Sequence, residues 1–363
     1  MSYSSVGKPK FYIDYLSYWK AKGNIKNVLI EGLQTHEIIG LNPTNYINRD
    51  ISYPFSVEIK LENNVYMPRS ADDKFFIGML GHNFFNINVK SPYLKWIDND
   101  GASAFELSDV TLEEICNMPT DGTSTFEYNG WSLGQWQGGD SDSFFDIQFN
   151  FDSDNVSQSN QTVLGNLVFG YAFQMPHSPD LKLTMTREYD GIQTQKTKGG
   201  STLTQINYHN AADWAGYPAW ELYKGNTINY INNDFVETRD SARGRRIWDL
   251  KFSYIDHKNM LPINELVNTS NPTDSYTDSL AGYDADDFNS SGHFSSDIRR
   301  DSSFMGVVME KTIGGALPFI FQPDGNNNSP DQFAICQIDQ GSFQFKQVAH
   351  NVYDLSLKIR EVW

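Results

Sequence analysis

The chain is 363 residues long, which suits two domains of ordinary size, with 14% aromatic residues and a formal net charge of −17 from 45 acidic and 28 basic side chains. Such a field repels phosphate backbones and anionic membranes, which argues against nucleic-acid and membrane partners. The two cysteines, Cys116 and Cys336, are too few for a disulfide framework or a zinc site and read as buried thiols, while no apolar run reaches the ~20 residues of a membrane span.

In chain order, the opening residues lack the uninterrupted apolar core of a signal peptide, so folding in a cytoplasm is expected and the sequon at Asn155-Val156-Ser157 is discounted. The first clear strand has Val57, Ile59 and Leu61 alternating with Ser56, Glu58 and Lys60, one face buried and the other wet. Leu112 to Asn117 reads as a short turn of helix capped by Ser108 or Thr111. A strand follows at Ile147, Phe149 and Phe151, and the polar stretch from Asp152 to Thr162 reads as a loop. Pro176 and Pro179 break the chain, which places a domain boundary near 180. The halves are then a β-sandwich-like domain, 1–180, and a second β domain, 181–363.

In the second half Leu181, Leu183 and Met185 alternate with polar neighbours, as do Trp248, Leu250, Phe252 and Tyr254. Residues 268–303 are dominated by Ser, Thr, Asp, Asn and Gly and read as a polar insertion, expected to be mobile in the free chain and the first site of proteolysis. A helix starts near Ser302 or Ser303, carries Phe304, Val307, Val308 and Ile313 on one stripe, and ends at Gly314-Gly315. Phe319 and Phe321 follow, then strands from Phe333 to Ile338 and from Val352 to Val362. In the last, Tyr353, Leu355, Leu357 and Ile359 alternate with Asp354, Ser356, Lys358 and Arg360. The faces led by Trp248 and Tyr353, with Phe319 and Phe321, are the expected structural core, packed on the helix.

Turn signals such as Asn129-Gly130, Asp190-Gly191 and Gly199-Gly200 separate the strands. The fold class is therefore mainly β, with antiparallel β-sandwich or split-barrel domains and one short flanking helix.

Catalytic signatures are missing: there is no phosphate-binding glycine loop, no dinucleotide fingerprint and no serine elbow. The seven histidines are scattered. Asp98, Asp100, Asp140, Asp142 and Asp146, and later Asp284, Asp286 and Asp287, supply oxygen ligands of the kind calcium takes from flexible loops, but none fits the twelve-residue calcium loop, and Asp284 to Asp287 read as a solvated loop. The aromatic clusters Trp131 to Trp136 and Trp214 to Trp220 read as core or interface packing ahead of sugar stacking. No catalytic, cofactor or metal residue is assigned.

One order of elements stands out in the final third: the strand from Arg245 to Tyr254, the helix at 302–313, the run from Gly314 to Gly325, and the two closing strands. This order resembles the minor tail proteins and the tail-proximal domains of distal tail proteins of long-tailed bacteriophages, in which a tail-tube-like β-fold with one flanking helix ends in such a strand pair. The chain departs from that pattern in the insertion at 268–303 and in its large N-terminal half. The resemblance implies a virion structural protein, not an enzyme, assembled in the host cytoplasm. It implies a ring, hexameric by analogy, whose acidic lumen passes DNA without binding it and whose faces meet the tail tube and the hub or receptor-binding apparatus, with the N-terminal half outward. The alternatives left by composition are a carbohydrate-binding or depolymerising β-module and a capsid-decorating or head–tail connector protein.

Overall fold

A computed structural model gives the fold and describes residues 6–41, 46–65, 74–90, 92–97, 103–106, 113–116, 118–120, 124–127, 129–137, 144–153, 159–188, 192–206, 245–261, 302–329 and 332–362. The first strands are β1 (Lys10–Asp14), β2 (Ile25–Ile30), β3 (Leu33–Gln34), β4 (Ile47–Ser52), β5 (Phe55–Val65), β6 (Lys74–His82) and β7 (Tyr93–Ile97). Next come β8 (Ser103–Glu106), β9 (Glu113–Cys116), β10 (Gly130–Gln137), β11 (Phe144–Phe151), β12 (Ser159–Leu164) and β13 (Asn166–Gln174). The rest are β14 (Thr184–Glu188), β15 (Ile192–Lys196), β16 (Thr202–Ile206), β17 (Arg245–Asp256), β18 (Phe319–Gln322), β19 (Ala334–Ile338), β20 (Gln344–Ala349) and β21 (Val352–Glu361). Helices are α1 (Tyr15–Ala21), α2 (His257–Met260) and a π-helix, Met305–Met309.

The chain is mainly β, as its alternating pattern predicts, and its ladders are antiparallel. One 11-stranded sheet runs β14-β17-β21-β19-β18-β1-β13-β6-β10-β9, with β20 added to β21. A six-stranded sheet runs β3-β2-β5-β11-β7-β8. The β6-to-β13 part of the large sheet faces the six-stranded sheet as a β-sandwich: Val28, Val57, Ile59, Leu94, Ile147 and Phe149 share one core with Phe75, Ile77, Phe169 and Tyr171. The Phe149 and Phe169 rings meet across the gap at 6.0 Å.

β1 joins the two halves. It lies between β13 and β18, and all five of its residues are buried. The expected boundary near 180 therefore falls within one continuous sheet, because a strand from the chain's start completes the sheet of its end. The break at Pro176 and Pro179 is a connection between strands of that sheet.

Sequence patterning missed α1, although its signals are local. Asp14 accepts hydrogen bonds from the Leu16 and Ser17 amides at 3.1 and 3.2 Å and from the Ser17 hydroxyl, and Leu16 and Trp19 turn inward. The same carboxylate accepts the Phe169 amide of β13 at 3.3 Å, so one side chain fixes both the helix start and the neighbouring strand. Burial pushes the Asp14 carboxyl up to about 6, offset in part by these bonds. Opposite it, a Cβ at Gly170 would collide with the Ile13 carbonyl oxygen, so only glycine allows β13 this close to β1.

Three other expectations are corrected. Residues 113–116 form β9, not a helix, because a ladder to Leu133–Gln135 of β10 overrides weak local helical spacing. The loop expected at 152–162 contains the start of β12, which pairs with β4. Leu181 and Met185 are not buried; β14 is an exposed edge strand, and only Leu183 packs on the core. The insertion at 268–303, apart from its last residues, the aromatic cluster at 214–220 and Asp98, Asp100, Asp140, Asp142, Asp284, Asp286 and Asp287 lie outside the described residues.

His82 is buried at the end of β6 and stacks on Phe84 at 4.6 Å. Its Nδ1 accepts the Phe84 amide at 3.3 Å, so Nε2 carries the proton and donates to Ser132 Oγ at 2.9 Å. Burial lowers its pKa to about 3. A group depressed on folding contributes stability above its unfolded value of about 6.5 and loses it as pH falls towards 3, at about 1.4 kcal/mol per unit. Carbon and nitrogen NMR shifts should show the neutral Nε2–H tautomer persisting at pH 5; protonation of this ring above pH 6 would contradict the assignment.

Candidate assembly interface

The expected core residues come together as one cluster: Trp248, Leu250, Phe252, Phe319, Phe321, Tyr353, Leu355, Leu357 and Ile359 are all buried. Their register is direct, with Trp248 opposite Ile359, Leu250 opposite Leu357 and Phe252 opposite Leu355. Tyr254 is the exception, at 78% exposed. Between Phe252 and Ile255 the ladder carries a bulge, and Tyr254 takes a positive φ of 63° with its amide donating to Asp354 Oδ1 at 3.2 Å. The extra residue reverses the alternation, so Ile255 takes the core side.

The helix begins where expected, with Ser303 Oγ accepting the Gly306 amide at 3.2 Å. It continues as a π-helix and ends at Lys311, so Ile313, with φ of 54° and 41% exposed, lies past its end rather than on the apolar stripe. Its apolar side meets β1 and β13 directly: Phe304 packs edge-on against Phe11 and Phe173 at 5.8 and 5.7 Å. The β17 face reaches it through Phe11, Phe321 and Trp248, whose rings follow at 5.2 Å each. The helix thus docks on the strand between the two halves, within the one core cluster that also holds the predicted faces.

An ion pair closes the far end of the sheet. Arg246 donates through Nε and Nη2 to the two oxygens of Glu361 at 3.0 and 2.9 Å, and through Nη2 to the Phe333 carbonyl at 2.7 Å. It links β17, β21 and the start of β19, with little of either side chain exposed. Glu361→Leu is expected to cost about 3–5 kcal/mol, because it leaves a buried guanidinium without its partner, and Arg246→Met in that background should recover part of the loss; chemical denaturation measures both.

Around this core lie strands that the described residues leave largely uncovered. All residues of β14 and β20 are exposed, and among the described strands β20 pairs with β21 alone. β15 and β16 form a separate two-stranded hairpin turned at Gly200, whose φ is 83°. Residues 193–205 of it are exposed throughout. These elements carry the exposed apolar side chains Met185, Leu203 at 61%, Phe345 and Val348, with Leu181 at 103% just ahead of β14 and Tyr254 on the neighbouring β17. The hairpin carries Lys196 and Lys198 and no acidic residue, in a chain of net charge −17. The Gly199-Gly200 turn is legible in the sequence, but not that the hairpin is unpaired with any other described strand, since exposure on both faces depends on what is distant in sequence.

Other chemistry is sparse. Trp131 and Trp136 are fully buried on opposite faces of β10, so neither indole can stack on a ligand from solvent. Cys116 and Cys336 are free and buried. Among the described residues no three His, Cys, Asp or Glu side chains gather as a metal site, and no helix is long and apolar enough to cross a membrane.

No family model and no curated protein matches this chain. Among solved structures it is similar, at 12% identity, to a carbohydrate-binding module, CBM32-3, from a family 31 glycoside hydrolase from Clostridium perfringens. The match covers 41% of this chain and 92% of that one, with a TM-score of 0.25, which assigns neither fold nor ligand.

Proposed function

We propose that this chain is a structural protein of a bacteriophage tail, a ring component of the distal tail or baseplate that joins the tail tube to the hub or receptor-binding apparatus, and that it works by assembly. The observation that carries the reading is the set of strands β14, β15, β16 and β20, which no described residue covers and which carry the exposed apolar side chains Met185, Leu203, Phe345 and Val348. A two-stranded hairpin alone is marginal in water, and an uncovered edge strand invites pairing with another chain. Both problems are solved when copies meet head to tail and the rotation closes into a ring.

Charge supports the same reading. With Lys196 and Lys198 on the hairpin, the remainder of the chain carries −17 − 2 = −19, so a basic arm meets an acidic neighbour. The order of elements in the final third, resembling the tail-proximal domain of distal tail proteins, supports the position in the virion. The ring is taken as hexameric by that resemblance, and its partners are the tube and the hub. Size-exclusion chromatography with light scattering of the full chain tests the reading, alone and with tube and hub proteins: higher-order rings are expected, and a monomer under every condition would overturn it.

A further inference from the structure

The outward face of the six-stranded sheet is largely polar and built in rows. Asn27, Lys60, Asp146 and Ile97 lie side by side on β2, β5, β11 and β7; Leu29, Glu58, Gln148 and Lys95 form the next row; Ser56, Asn150 and Tyr93 form the third, on β5, β11 and β7. Directly opposed residues on one face sit about 5 Å apart, so these rows form a continuous surface. Two atoms in it are unusual. Asp146 is only 7% exposed, yet its Oδ1 has no hydrogen-bond partner, and neither has the buried Nδ2 of Asn150. Leaving a buried donor and a buried acceptor unpaired costs about 1–3 kcal/mol each, more for a charge. The core gains nothing from either, because Ile147 and Phe149 point to the opposite face.

We infer that this face binds a neutral oligosaccharide. A sugar hydroxyl both donates and accepts, so neighbouring hydroxyls can give a proton to Asp146 Oδ1 and take one from Asn150 Nδ2, the two needs this surface leaves open. Tyr93, 46% exposed, offers an aromatic face beside Asn150 for the apolar side of a sugar ring. Asp146 and Asn150 are four residues apart on one strand, about 13 Å, which exceeds one sugar ring and calls for an oligosaccharide. The charge of the face selects against ionic polymers: Asp146 and Glu58 are balanced by Lys60 and Lys95, within a chain of net −17. Both unpaired atoms are shut off from bulk water in the free chain, so the ligand reaches them by displacing the side chains around them. Burial, partly offset by Lys60, also raises the Asp146 carboxyl to about 6. The site is separate from the exposed strands of the final third and does not rest on the assembly reading.

The test is binding of the full chain to an array of neutral oligosaccharides, followed by calorimetric titration of the strongest soluble hit into wild type, Tyr93→Ala, Asn150→Ala and, as a control on the distant hairpin, Lys196→Ala. Tyr93→Ala and Asn150→Ala are expected to weaken binding about tenfold or more with unchanged melting temperature, and Lys196→Ala to leave it intact. Absence of any neutral glycan binding at millimolar ligand, or full affinity in a folded Tyr93→Ala/Asn150→Ala double variant, would overturn the inference. Ring formation in the same preparations reports separately on the assembly reading.

Discussion

Leu357→Ala is expected to destabilise the protein by about 2–5 kcal/mol, a large part of the 5–15 kcal/mol that holds a typical domain, whereas Lys358→Ala should change it by about 0.5 kcal/mol or less. Leu357 is 1% exposed and lies opposite the fully buried Leu250. Its truncation leaves a cavity in the cluster shared with Phe252, Phe321 and the π-helix. Lys358 is one residue away on the other face, opposite Asp249. Its backbone contacts, to Ser342 Oγ at 2.8 Å and from the Asp339 amide at 2.9 Å, survive the loss of the side chain. A slip of one residue in the β17–β21 ladder would invert both environments, so melting curves in which Lys358→Ala is the more damaging change would refute the register.

The second large effect is on assembly. Replacing residues 192–206 by a short glycine linker should abolish rings while leaving the melting temperature of the free chain unchanged. Among the described residues the hairpin pairs with itself, and its residues 193–205 are exposed, so its removal uncovers no core that they describe. Reversing its charge with Lys196→Glu and Lys198→Glu should weaken assembly more at low salt than at high salt, since screening shortens the reach of the lost attraction. Sedimentation of both variants beside wild type gives the answer: a hairpin-deleted chain that still forms rings, or one that unfolds, would remove the hairpin from the interface.

Local periodicity carried much of the fold and stopped where distant chain intervened. The alternation from Tyr353 to Ile359 needs only neighbouring residues to be legible, and its inward face is buried as expected. The same rule failed at Tyr254 because a bulge without glycine leaves no mark in the sequence, and counting by twos ran straight through it. α1 was legible and overlooked: Asp14 is a good cap, Leu16 and Trp19 share a face, and Gly23, with φ of 73°, follows the end. The position of β1 was not legible at all. Five buried residues in a row mark a strand covered on both faces, but not that its neighbours are β13 and β18, more than a hundred residues away. For the same reason the halves proposed from composition share a sheet.

The candidate surfaces show the same limit. The sequence placed Asp146 among loop carboxylates, whereas it stands on β11 beside Lys60, and its unpaired oxygen depends on a sheet register that spacing cannot reveal. β20 alternates weakly and would pass for any half-buried strand; only the fold shows that β21 is its one partner among the described strands and that its whole length is exposed.

Mass photometry of the full chain at micromolar concentration, alone and with tail-tube and hub proteins, tests the central claim most directly. A ring population at a fixed multiple of the chain mass, six by the tail resemblance, is the result expected of a protein whose exposed strands are completed by its neighbours. A population at the single-chain mass in every mixture would contradict assembly as the way this protein works.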